Sequence, residues 1–494
     1  MLPAQLEKNG TERASADAKF VETLTAAYRA ALQDRSMRVS AHAHGLIGND
    51  PDRIDEVIAK VRRMLGTPRA EAELVATVKV VCHLLRQGAA LLMSHRRYDE
   101  ALAREELVFR VGAQDPTVRP ALVSIRTLAA HVAAGKLPHS VLREATTAGF
   151  ESPEFFGRGP VGEGQECALP PVVVAQLRKV TVRGRSEAIG VSRQRTLHDI
   201  APLDSRGRWA HRDFLHHDST RAIETRPRKG PRVREMSRAI LLTGSSSDNY
   251  YHFLTEVLPK LEALEADPPP PGVPLLVDAE MIATPQLAEI LDKVSGGRPR
   301  IALGAGETVR VGRLTAVSAV TWMPTNLRPG AEFRAGDQRV DHASLAYVRS
   351  RLRTADAGRS PVRLFVRRGI TPRRRLLNED VLVRLAEARG FMAVSPGQLD
   401  SATQVDLFSR AEAIVGAAGG GMANAIFAPA GARVLVMMSR CYDFSLFHTV
   451  SSLLEQSVLH LGGVPRSNSG VIALHDDYSI DPSEFSNALD SLDV

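Results

Sequence analysis

The chain has 494 residues, 44% hydrophobic and 24% charged, with a formal net charge of +7 at pH 7 and a sequence pI of about 9.5. That length holds two or three domains with buried cores, and the composition excludes a mainly disordered chain. Aromatic residues are only 5% and no basic run is interleaved with them, which argues against nucleic-acid binding. An arginine-rich surface, an anionic substrate or an anionic membrane surface accounts for the charge instead. Cys82, Cys167 and Cys441 lie far apart and are odd in number, so no metal-binding pair or disulfide framework is expected. Residues 1–8 contain no apolar signal segment, and no stretch reaches the ~18–20 apolar residues of a membrane span. The expectation is a cytoplasmic protein.

Residues 1–150 read as a helical region. Phe20, Leu24, Tyr28 and Leu32 recur every fourth position, and Leu74, Val78, Val81 and Leu85 form a second stripe. Residues 96–104 resemble one helical hairpin of the tetratricopeptide kind, without a repeat to support an array. Residues 155–167 are rich in glycine and proline and read as a linker. From residue 172 short β-type runs begin, and a first lobe is expected over 168–340. Serines 245–247 and Asp248 offer caps for a helix that Pro259 bends or ends. Residues 338–354 read as a long helix leading into a second lobe over 341–475, with a tail over 476–494. Five strands are expected in that lobe, at 362–366, 391–394, 413–415, 434–437 and 457–461. Helices alternate with them, which implies a parallel, doubly wound sheet that binds its ligand at the carboxyl ends of the strands.

Three groups of residues could carry chemistry. His252 and Glu256 stand at i and i+4, so both project from one helical face, where a carboxylate can orient an imidazole and either can act as general base. Gly419, Gly420 and Gly421 form a turn between an apolar strand and a helix, and its N–H groups can cradle a diphosphate. Tight strand–helix packing explains such a turn about as well. Arg367 and Arg368 end a strand, and Arg373, Arg374 and Arg375 follow in the loop that runs into Asn378, Glu379 and Asp380. Guanidinium groups there sit where a diphosphate would. The cluster His211, Asp213, His216, His217 and Asp218 lacks a metal-ligand spacing and reads as a surface loop.

In this order the motifs resemble glycosyltransferase family 61, the capsular-polysaccharide-type glycosyltransferases of bacteria. The resemblance runs from about residue 177 to 460 and rests on 249–261, on the arginine run to Asp380, on 390–399 and 404–408, on 413–416, on the glycine turn and on 424–429. It implies a GT-B-like α/β fold, a pair of Rossmann-type lobes with the site between them. It further implies inverting transfer from a nucleotide-sugar, usually a UDP-sugar, to a saccharide acceptor, with no cofactor and no essential metal. On that pattern Glu256 and His252 are catalytic. Arg368, Arg374, Arg375, Asn378, Glu379, Gly419, Gly420, Gly421 and Asn424 bind the donor. Two departures stand out. The turn usually carries a histidine where this chain has Ala418, and an acid often stands where this chain has Val436. The alternative is a catalytically degenerate protein that acts as a binding module through its helical N-terminal region. Expected partners are the donor and a glycan acceptor, not nucleic acid, and a basic surface suits peripheral association with the inner membrane face.

Overall fold

A computed structural model describes residues 122–494 apart from 201–208, 211–213, 217–220, 225–232, 324–325, 328–331, 354–359, 370, 372–373, 444, 467–475 and 493–494. The helical stripes expected before residue 122, and most of the 211–218 cluster, lie outside the described residues. The described part is a mixed α/β protein built on two large sheets.

The first sheet contains β1 (Leu122–Arg126), β2 (Val172–Arg183), β3 (Val233–Leu241), β4 (Leu275–Asp278), β5 (Arg300–Leu303) and β6 (Thr308–Val317). β2 pairs antiparallel with β6, and β6, β3, β4 and β5 then follow in parallel. β1 starts this sheet earlier than the expected boundary at 168. From Val123 to Arg126 it alternates apolar and polar residues, as a half-buried strand does, and it pairs with Arg195–Leu197. Only Leu128–Gly135 (α1) is helical between β1 and residue 150, so the helical reading of 1–150 fails at this end. The expected linker contains strands Glu154–Phe155, Gly159–Pro160 and Gln165–Leu169.

The connections between the parallel strands carry helices, α2 (Pro285–Val294) among them. Chain then passes through α3 (His342–Leu352), capped by Asp341, to the second sheet. This sheet holds β7 (Val362–Val366), β8 (Phe391–Val394), β9 (Ala411–Ala417), β10 (Arg433–Met438) and β11 (Ser457–Gly462), all parallel. Helices α4 (Glu379–Glu387), α5 (Ser401–Ser409) and α6 (Leu446–Leu453) alternate with them. The order is β8-β7-β9-β10-β11, with Glu154–Phe155 beside β11. The chain reverses direction of build between β7 and β9, and a ligand crevice is expected at such a switch point. Tyr478–Ser479 and α7 (Pro482–Ser491) pack against the second sheet through Tyr478, Phe485 and Leu489, so the expected tail belongs to its core.

One hydrophobic core spans both sheets. Val174, Ile240 and Leu275 of the first and Leu364, Ile414 and Val434 of the second belong to it, with Tyr251, Phe253, Phe427 and Phe447 between them.

Candidate active site

The helix that carries His252 and Glu256 begins where Asn249 Oδ1 accepts from Tyr251 N at 3.0 Å. It is α over Tyr250–His252, π over Phe253–Val257 and α again over Lys260–Ala266. Pro259 explains the change of winding. Its nitrogen carries no hydrogen, so the Thr255 carbonyl has no donor four residues on. Thr321 Oγ1 donates to that carbonyl at 2.6 Å, and Leu258 N reaches back to Phe253 O at 2.9 Å. Single π turns of this kind often occur at functional sites. His252 Nδ1 lies 2.6 Å from Glu256 Oε1, with the two side chains only 15% and 12% exposed, so each is nearly dry yet reachable from solvent.

Their neighbours set their charge. Burial alone would lower the His252 pKa, but the Glu256, Glu187 and Asp248 carboxylates outweigh it and hold the imidazole above its ordinary value. Burial raises the Glu256 pKa and Glu187 adds to it, against His252 and Lys260. Glu187 is held below the usual carboxylate range although burial opposes its charge, because His198, Lys260 and Ser245 favour the anion. Its Oε1 accepts from Ser245 N at 3.0 Å and Ser245 Oγ at 3.1 Å. Both members of the pair are thus shifted upward, beside a third carboxylate that is shifted downward.

The loops around it are fixed by Asp278, at the end of β4. Its fully buried carboxylate accepts from Arg185 N and Ser247 Oγ at 2.5 Å each and from Gly244 N at 2.8 Å. Burial raises its pKa despite those donors. Arg185 pairs with Asp248 at 2.7 Å. Sequence reasoning missed Glu187, Arg185 and Asp278. Asp278 could have been found as an acid closing a fully apolar strand. Glu187 has no local signal, since only the tertiary fold brings it to the helix.

In the second sheet, Arg368 follows β7 and the glycine turn follows β9, so both flank the switch point. Arg368 Nη1 donates to Ala418 O at 2.5 Å, and Arg368 N donates to Glu379 Oε1 at 2.7 Å. Burial lowers the Arg368 pKa. The guanidinium lies across Gly419, where an added Cβ would sit 2.0 Å from Nη1. Gly420–Phe427 is a 3-10 helix, and Gly419 precedes it in an extended conformation. The opening N–H groups of such a helix have no acceptor within it. Gly416 is there for packing, since a Cβ would fall 2.6 Å from Met422 Sδ and 2.9 Å from Val366 Cβ.

The remaining expected donor residues are placed as follows. Arg374 is partly buried, with a left-handed backbone at φ 56°. Arg375 is spent on Asp477, to which its N, Nε and Nη2 donate at 2.8, 2.8 and 2.6 Å. Asn378 clamps Ile480 through Nδ2 to O at 2.7 Å and Oδ1 to N at 3.2 Å. Glu379 holds the Arg368 backbone and pairs loosely with Arg367 at 3.7 Å. Asn424 is fully buried, and its Nδ2 donates to Gln404 Oε1 at 2.9 Å and Gly421 O at 3.1 Å. Its Oδ1 accepts from Tyr250 OH at 2.8 Å. Tyr250 also lies against the turn, its Cβ 3.8 Å from where a Gly420 Cβ would be. The start of the His252/Glu256 helix and the glycine turn are thus in direct contact.

Among the described residues, no group of three or more His, Cys, Asp or Glu is arranged to hold a metal ion, and no helix is long and apolar enough to cross a membrane. Residues 250–435 match the family model described as Glycosyltransferase 61, a span that starts at Tyr250 and ends in β10. No curated protein matches the chain. Over that span the chain is similar to glycosyltransferase family 61.

Proposed function

We propose that this chain is a member of glycosyltransferase family 61, an inverting transferase that moves a sugar from a UDP-sugar to a saccharide acceptor in surface polysaccharide synthesis, by a GT-B-like arrangement of its two sheets. The observation that carries the proposal is the bond from Tyr250 to Asn424, which sets an acid–base helix against an anion-binding turn. The donor diphosphate lies on Gly419, Gly420 and Gly421, with Arg368 and Arg374 neutralising it. Arg375, Asn378 and Glu379 shape the loop that carries those arginines. Asn424 fixes the turn.

Glu256, directly or through His252, takes the proton of the acceptor hydroxyl. That oxygen forms a bond to the anomeric carbon from the face opposite the diphosphate. The bond from the carbon to the diphosphate oxygen breaks, its electron pair leaves on the UDP, and the stereocentre inverts. Charge developing on that oxygen meets preorganised N–H groups and guanidinium, which do the work a divalent cation does elsewhere. Calorimetric titration with UDP, with and without EDTA, tests this. Binding that survives EDTA and is lost in Arg368→Ala supports it, and dependence on a divalent cation refutes it. Ala418 favours a second reading, a non-catalytic binding module. A folded sample that binds no nucleotide diphosphate would point to it.

A further inference from the structure

The first sheet has an unusual feature within three of its strands. Arg178 on β2 stands directly opposite Arg313 on β6, and Arg313 stands directly opposite Arg238 on β3. Residues in register on neighbouring strands share a face of the sheet and lie ~5 Å apart. Three guanidinium groups therefore form a row across three strands, all of them exposed. Like charges directly opposite one another destabilise a sheet. Among the described residues none of the three has an ion pair or hydrogen bond from its side chain. The other exposed strand arginine of β6, Arg310, is paired with Glu235 at 2.8 Å.

The row opens into a groove of about 740 Å³ whose other walls include Leu137, Pro138 and Pro270. That volume lies in the range of small-ligand pockets. A further wall residue, His131, reports the local field. Burial, then Arg195 and Arg126, hold its imidazole below its ordinary value. Two acids of the neighbouring loops are already engaged. Asp199 accepts from Leu128 N and Ala319 N at 2.7 Å each, and Asp267 accepts from Ser140 Oγ at 2.8 Å.

We infer that this groove binds the phosphate or diphosphate head of an amphipathic ligand, with Arg178, Arg238 and Arg313 holding the anion and the proline-lined wall taking the apolar body. Planar guanidinium forks match phosphate oxygens, and a bound anion removes the repulsion within the row. The site is separate from the glycine turn and stands whether or not UDP is the donor.

The test uses the full chain with two probes, inorganic pyrophosphate by calorimetry and cosedimentation with phosphatidylcholine vesicles doped with an anionic phospholipid. Pyrophosphate should bind in a salt-dependent way and should still bind when UDP is saturating. Arg313→Gln should weaken it about ten-fold or more, the loss expected for a charged hydrogen bond. Arg310→Gln, on the same strand, should leave it unchanged. Vesicle binding that follows the same pattern assigns the head to a membrane lipid, and pyrophosphate binding alone assigns it to a soluble phosphate. Binding of neither probe, equal binding by Arg313→Gln, or displacement of pyrophosphate by UDP would each overturn the inference.

Discussion

Gly419→Ala isolates the role of Arg368. At Gly419 φ is −178°, extended backbone that any residue adopts, so the added methyl brings no backbone strain. Its contacts decide the outcome. The Cβ would stand 2.0 Å from Arg368 Nη1 and 3.2 Å from Cζ, with Ala417 O next at an ordinary 3.6 Å. Arg368 must move by more than 1 Å, and the 2.5 Å bond from Nη1 to Ala418 O is lost. Hydrogen bonds to charged groups contribute about 1.5–3 kcal/mol. If the guanidinium holds a diphosphate in its present place, UDP affinity should fall about 10- to 100-fold. The displaced side chain can reach water, so the melting temperature should change by only a few degrees. The assay is calorimetric titration of UDP into wild type, Gly419→Ala, Arg368→Ala and the double variant. Because the methyl acts through Arg368, the double variant should bind no more weakly than Arg368→Ala. Additive losses would refute the reasoning, as would unchanged affinity in a folded Gly419→Ala.

Other outcomes follow from the same geometry. Glu256→Gln should lower turnover about 10²- to 10⁴-fold and leave UDP affinity nearly unchanged, in paired rate and binding measurements. A large loss of UDP binding would contradict the base assignment. His252 has a raised folded pKa, so its contribution to stability is full below the ordinary imidazole value and is lost as pH rises through the raised one. The acidic limb of the activity–pH profile should accordingly lie above that ordinary value and move down in Glu187→Gln, which removes one of the carboxylates holding it up. Tyr250→Phe leaves Asn424 Oδ1 buried without its donor and should cost about 1–3 kcal/mol in denaturant unfolding. Asp278→Ala abandons two backbone donors and Ser247 Oγ, so a loss of about 3 kcal/mol or more is expected.

Much of the second sheet was legible. Its strands are short apolar runs bounded by glycine, proline and polar residues, and all five expected strands are present with ends shifted by at most two residues. The i, i+4 spacing of His252 and Glu256 also translated into contact, although the winding there is π. The substitution of a side-chain donor for the missing Pro259 N–H depends on Thr321, 66 residues from the Thr255 carbonyl it serves, which periodicity cannot see. The same limit explains the arginines. Arg368 lies by the glycine turn because β7 and β9 are neighbours. Arg375 pairs instead with Asp477, and Asn378 with Ile480, because the C-terminal strand folds back along the loop. Charge runs do not reveal which member faces a ligand and which is consumed by a distant acid. Residues 122–150 misled for a different reason, since strands of about five residues are too short for a period of two to stand out.

The shared core has a mechanical consequence. Tyr251 packs edge-on against Phe447 at 5.8 Å, and Phe427 is buried in the same cluster, so aromatic rings from both halves fill one interior. Exposing these three rings alone would cost on the order of 10 kcal/mol, comparable to the whole stability of a typical domain. The two sheets therefore do not swing apart as rigid bodies about a hinge. On the proposed function, a nucleotide-sugar would then enter and leave without the two sheets separating. Small-angle scattering should then give the same radius of gyration with and without UDP.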